Sequence, residues 1–123
     1  MNIYRSAEDY LETILMLRDA HGAVRSIDIV HELNFSKPSV SVAMKRLREN
    51  GYIEMDAEGY ITLLPPGEEI ARRIYSRHTV LTRFLVQLGV SPEVAAEDAC
   101  KIEHDISDET FARISEDVRR RRN

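Results

Sequence analysis

The chain has 123 residues, a net charge of −4, 43% hydrophobic and 31% charged residues, and one cysteine. That length and balance fit a helical protein with one real core or two small ones. No stretch is apolar enough to span a bilayer, acids in the first helix argue against a signal peptide, and a single cysteine excludes an intrachain disulfide, in keeping with a reducing cytoplasm.

In chain order, Ser6 is expected to cap helix 1, with Asp9 three residues later as a capping-box variant. Tyr10, Leu11, Ile14, Leu15 and Leu17 give that helix its apolar face, and Gly22 ends it. Ser26 caps a short helix 2 through Leu33, with Asn34 as its stop. Ser36 caps helix 3, Pro38 sits in its first turn, and Gly51 closes it. Val40, Ala43, Met44 and Leu47 form its buried stripe. Two strands follow, Tyr52 to Met55 and Tyr60 to Leu63, joined by Asp56-Ala57-Glu58-Gly59. Pro65-Pro66-Gly67 opens a long helix 4 reaching about Leu88. Ser91 and Pro92 start helix 5, and Ser107, followed by Asp108 and Glu109, starts helix 6.

Three helices and a hairpin are the order of a winged helix-turn-helix. The expected fold is mainly α: a winged helix-turn-helix DNA-binding domain over residues 1–64, with a two-stranded wing, then an all-helical metal-binding and dimerisation domain over 65–123. Leu81, Phe84, Leu85 and Leu88 on helix 4, with Val94 and Ile102 on helix 5, exceed the apolar surface that a lone domain needs. A symmetric homodimer is the commonest way to bury such excess.

A negative net charge argues weakly against a nucleic-acid partner, but the charge is segregated. Residues 36–50 carry +3 and residues 93–110 carry −6. A recognition helix places its N-terminal residues at base edges. Ser36, Ser39 and Ser41 offer hydroxyls to phosphates or bases, and Lys37 lies beside them. Pro38 and Val42 suit a thymine methyl. Lys45, Arg46 and Arg48 would supply the salt-dependent phosphate contacts. The wing tip, with Asp56 and Glu58, is acidic and is not expected to grip phosphate.

The acidic segment holds the other constellation. Cys100, Glu103 and His104 stand at i, i+3 and i+4, which on a helix puts a thiol, a carboxylate and an imidazole on one face. These donors suit a transition-metal ion. Asp9 could close the site from helix 1. Glu12, one turn after Asp9, and His78 on helix 4 could complete a neighbouring site, with Glu103 bridging the two.

Together, Ser6-Ala7-Glu8-Asp9-Tyr10-Leu11-Glu12, Ser36-Lys37-Pro38-Ser39-Val40-Ser41, Tyr75-Ser76-Arg77-His78 and the run from Glu97 to Glu109 resemble the diphtheria-toxin-repressor and manganese-transport-regulator family of metal-dependent bacterial repressors. The resemblance covers essentially the whole chain. It implies a winged-helix domain, a helical dimerisation domain, and a metal-bound homodimer that binds double-stranded operator DNA and represses metal-homeostasis genes. It also implies that Asp9, Cys100, Glu103 and His104 fall at primary-site positions, and Glu12 and His78 at second-site positions of the manganese-type members.

The chain departs from both branches. Manganese-type members have a carboxylate at Cys100. Iron-type members keep the cysteine but have a thioether at Asp9 and no carboxylate at Glu12. Ala96 and Thr82 replace ancillary ligands of the iron type. Fe²⁺ and Mn²⁺ both remain open, and the thiol tips the reading toward Fe²⁺. The expected protein is a cytoplasmic regulator without a membrane partner, and not an enzyme, because every donor is needed as a ligand. The alternative left open is a winged-helix regulator that answers to an organic ligand and has no metal role.

Overall fold

The computed structural model describes residues 5–122. Its elements run α1 (Arg5–His21), α2 (Ser26–Leu33), α3 (Lys37–Glu49), β1 (Ile53–Met55), β2 (Ile61–Leu63), α4 (Pro65–Leu88), α5 (Pro92–Ile102) and α6 (Asp108–Arg122). The chain divides into two compact units, one running to Arg72 and the other from Arg73, so the boundary falls inside α4. The architecture is mainly helical, with a winged helix-turn-helix followed by helices.

The core of the first unit is continuous. Leu11, Ile14 and Leu15 of α1 meet Ile29 of α2, Val40, Met44 and Leu47 of α3, and Ile53, Ile61 and Leu63 of the sheet. The 3.6-residue spacing in the helices and the two-residue alternation in the strands place these side chains inward. In the antiparallel hairpin Ile53 faces Leu63, Glu54 faces Thr62 and Met55 faces Ile61. Ile53, Ile61 and Leu63 are buried while Glu54 and Thr62 are exposed.

Several expected boundaries move, each for a local reason. Ser6 is not a cap, because α1 already includes Arg5. A serine costs little in a first turn, where the backbone N–H has no intrahelical partner. The cap of α2 is Arg25 rather than Ser26. Arg25 forms an antiparallel bridge with Tyr60, and the Val24 carbonyl accepts from the Ile61 N–H at 2.8 Å. The backbone is therefore extended through Arg25, and Asp28 closes the cap by accepting from the Arg25 N–H at 2.8 Å. Asn34 stops α2 in the left-handed conformation, φ 56° and ψ 41°.

The strands are shorter than expected because their outer tyrosines are engaged elsewhere. The Tyr52 N–H donates to the Leu47 carbonyl at 3.0 Å, at the end of α3. The Tyr60 N–H donates to Asp56 Oδ1 at 2.9 Å, within the turn.

In the second unit Ile74 and Leu81 of α4, Ala95 and Ala99 of α5 and Val118 of α6 are buried. Leu81 is therefore a core residue rather than part of a free apolar face. Tyr75, Val86, Leu88 and Val94 are large apolar side chains left exposed. Ser107 caps α6, accepting from the Thr110 N–H at 3.1 Å.

Candidate metal centre and nucleic-acid interface

The donor cluster of the second unit is organised around one carboxylate. Cys100 lies in the last turn of α5, whose final residue is Ile102. The three donors expected on one helix are thus split: Glu103 is the cap residue and His104 stands in the turn that follows. The early stop reflects the capping signal of α6, Ser107-Asp108, only a few residues on. The helical path nevertheless continues through Glu103, with φ −58° and ψ −24° and its N–H donating to the Ala99 carbonyl at 2.9 Å. Cys100 and Glu103 consequently still share a face.

Glu103 is 0% exposed. Its Oε2 lies 2.9 Å from Nδ1 of His78, which α4 contributes. Its Oε1 stands 3.5 Å from His104 Nε2 and has no hydrogen-bond partner among the described residues. A Cys100 Sγ and a Glu103 oxygen lie within 4.8 Å of one another, as do donor atoms of Glu103 and His78. A buried carboxylate oxygen without a hydrogen-bond donor is costly. Cys100 and His78 each lie with Glu103 in a separate candidate group, neither of which includes His104; a cation beside Glu103 would satisfy that oxygen, and thiol, imidazole and carboxylate donors fit a divalent transition metal.

In the first unit Asp9 and Glu12 lie one turn apart on α1; Asp9 is half-buried and Glu12 is buried.

The turn beyond Glu103 is held by Arg77, which the sequence marks only as part of the run Tyr75-Ser76-Arg77-His78. Arg77 is 6% exposed. Its Nη1 donates to the carbonyls of Glu103 and Ile106 at 3.1 and 2.9 Å, and its Nη2 pairs with Asp108. Its guanidinium also lies 5.3 Å from the centroid of the Phe111 ring. Nothing in the local sequence around Arg77 names partners more than twenty-five residues away.

The helix-turn-helix presents its own surface. Ser36 caps α3, with Oγ accepting from the Ser39 N–H at 3.2 Å and its O–H donating to Ser39 Oγ at 2.8 Å. Ser36, Lys37, Pro38, Ser39, Ser41, Val42, Lys45 and Arg46 are all exposed, on the side of α3 opposite Val40, Met44 and Leu47. Val42, at 54% exposure, is an apolar side chain that the unit does not bury. At the wing tip Asp56 Oδ1 accepts from the N–H groups of Glu58 and Tyr60 at 3.0 and 2.9 Å, so that acid shapes the turn. Arg25, which the sequence reading passed over, stacks its guanidinium 4.2 Å from the centroid of the Tyr60 ring.

Two family models match the chain consecutively. Residues 2–61 match the N-terminal DNA-binding domain of iron-dependent repressors, and residues 65–122 match the metal-binding and dimerisation domain of the same repressors. The chain belongs to the iron-dependent repressor family. Within that family it is 40% identical over 104 residues to the transcriptional regulator MntR of Salmonella typhimurium, covering 85% of this chain and 66% of that one. It is 35% identical over 112 residues to an uncharacterised HTH-type transcriptional regulator of Methanocaldococcus jannaschii, covering 89% of this chain and 90% of that one. Among solved structures, a manganese-dependent transcriptional repressor in complex with manganese superposes with a TM-score of 0.83 at 28% identity, over 91% of this chain and 52% of the other. The chain thus spans about two-thirds of the Salmonella relative and about half of the solved repressor. Among the described residues no helix is long and apolar enough to cross a membrane.

Proposed function

We propose that the chain is a metal-activated, homodimeric, DNA-binding repressor of metal-homeostasis genes, acting in the cytoplasm and not as an enzyme. The observation that carries this reading is the buried Glu103 carboxylate between His78 and His104, in a chain whose other half is a helix-turn-helix with its polar face exposed.

In this reading Asp9, Glu12, His78, Cys100, Glu103 and His104 supply the ligands. Their mixture of thiol, imidazole and carboxylate supports Fe²⁺ or Mn²⁺, and Cys100 favours Fe²⁺. Bound metal would tie α1 to the donors of the second unit and so limit the separations that two recognition helices of a dimer can sample. On the DNA, Ser36, Ser39 and Ser41 would orient the helix by hydroxyl hydrogen bonds, with Pro38 and Val42 at thymine methyls. Lys37, Lys45 and Arg46 would meet phosphates. The exposed Leu88 and Val94 support the dimer, because a second copy of the same surface would cover them.

Binding of operator DNA measured across apo protein, Mn²⁺, Fe²⁺, Co²⁺ and Zn²⁺ tests the proposal. Tight binding only with metal is expected. Equal binding by the apo and loaded protein would leave the winged-helix regulator with an organic ligand as the better reading.

A further inference from the structure

We propose that Arg77, which contributes no donor to the metal set, is the positioning residue that fixes the α5–α6 turn and thereby sets metal affinity. The inference rests on the metal reading above.

A helix that ends leaves carbonyls without intrahelical partners. The carbonyl of Glu103, which caps α5, and that of Ile106, in the connecting turn, both accept from Nη1 of Arg77, while Nη2 pairs with Asp108 in the first turn of α6. One buried, planar guanidinium thus joins the end of α5, the connecting turn and the start of α6. It is packed against Phe111 on its face. Two donor-bearing residues, Glu103 and His104, lie within the clamped span.

The neighbouring residue completes the arrangement. Arg77 and His78 are adjacent on α4. One holds the main chain of Glu103 and the other lies 2.9 Å from its carboxylate. The backbone of the central ligand is thereby set by a residue that the metal need not touch. Groups that orient ligands in this way are commonly worth about 10–100-fold in metal affinity. Lysine cannot replace arginine here. Its single ammonium cannot reproduce a rigid fork reaching two carbonyls and a carboxylate together.

Co²⁺ titration of the full chain, followed by visible d–d absorption and chelator competition, tests the proposal, with far-UV circular dichroism reporting the fold. Arg77→Lys is expected to remain helical, to bind Co²⁺ about 10–100-fold more weakly, and to show a changed d–d spectrum. Asp108→Asn keeps both carbonyl contacts and is expected to weaken binding by a smaller factor. A folded Arg77→Lys with wild-type affinity and spectrum overturns the positioning role while leaving the metal reading standing. If Arg77→Lys does not fold, Asp108→Asn decides: wild-type affinity in that variant overturns the proposal. A wild-type chain that binds no Co²⁺ removes the metal reading, and the positioning role with it.

Discussion

Replacing Gly67 by alanine sets two effects of opposite sign against each other at the junction of the wing and α4. Gly67 is buried in the first turn of α4. On helix propensity alone, alanine should stabilise by about 1 kcal/mol. The new Cβ, however, would stand against the Tyr52 carbonyl oxygen, closer than real Cβ contacts come, with the carbonyl carbon at 3.0 Å. Those atoms are backbone, and they cannot swing away as a side-chain tip does. The same carbonyl accepts from the Leu64 N–H at 3.0 Å, and the Tyr52 N–H is held by Leu47. Overpacking of this kind costs about 1–3 kcal/mol, and the disturbed hydrogen bond adds about 1 kcal/mol. The steric effect wins, leaving Gly67→Ala about 2 kcal/mol less stable once the propensity gain of about 1 kcal/mol is subtracted. In a unit of this size that lowers the melting temperature by roughly 10 °C. Scanning calorimetry of wild type and Gly67→Ala measures the difference. A melting temperature equal to or above wild type would refute the steric argument and show that the junction relaxes freely.

The remaining predictions concern DNA, pH and metal choice. Lys45→Ala should weaken binding to all DNA sequences alike and reduce the log–log salt slope by about 1 per subunit; an unchanged slope places Lys45 off the phosphate backbone. The hydrogen bond from Arg18, and then that from Arg72, holds the Glu68 carboxyl at about 2 against an ordinary 4.5. The depressed value means that this stabilisation is present above pH 4.5 and is lost as pH falls toward about 2. At this partly exposed ion pair it is worth about 1 kcal/mol. Thermal melts between pH 5 and pH 2 should therefore fall less steeply for Glu68→Gln than for wild type, and parallel curves would remove Glu68 from the acid response. Cys100→Glu should shift metal-dependent DNA binding from Fe²⁺ toward Mn²⁺ by replacing the only soft donor; the same Fe²⁺-to-Mn²⁺ response in both proteins would mean that Cys100 does not set selectivity.

Local signals were legible where a single residue type dictates a conformation. Ser36 and Pro38 mark the start of α3 and Asn34 the end of α2, because capping hydroxyls and left-handed asparagine act within a few residues. Both strands were legible as well, each starting one residue later than expected. What escaped depends on residues far apart in the chain. Arg25 caps α2 because Val24 and Arg25 pair with the second strand, and a one-residue bridge has no periodicity to read. The i, i+3, i+4 spacing of Cys100, Glu103 and His104 suggested one helix, whereas the next capping signal ends α5 before Glu103. The clamping role of Arg77 was not legible, because its partners, from Glu103 to Asp108, come together only after α4 and α6 have formed.

The proposed donor set also explains why affinity alone is a poor guide to the physiological metal. A thiolate with imidazoles and carboxylates follows the usual divalent order, in which Zn²⁺ binds more tightly than Fe²⁺ or Mn²⁺. Zn²⁺ is satisfied by four ligands, and Cys100, Glu103, His104 and one further donor would suffice. Under the proposed function the signal would reside in coordination number, since a metal that demands more oxygen ligands would draw on Asp9 and Glu12, while a four-coordinate one would not. Since Asp9 and Glu12 lie on α1, in the unit that carries the recognition helix, their recruitment is the step that couples metal identity to DNA binding in this reading.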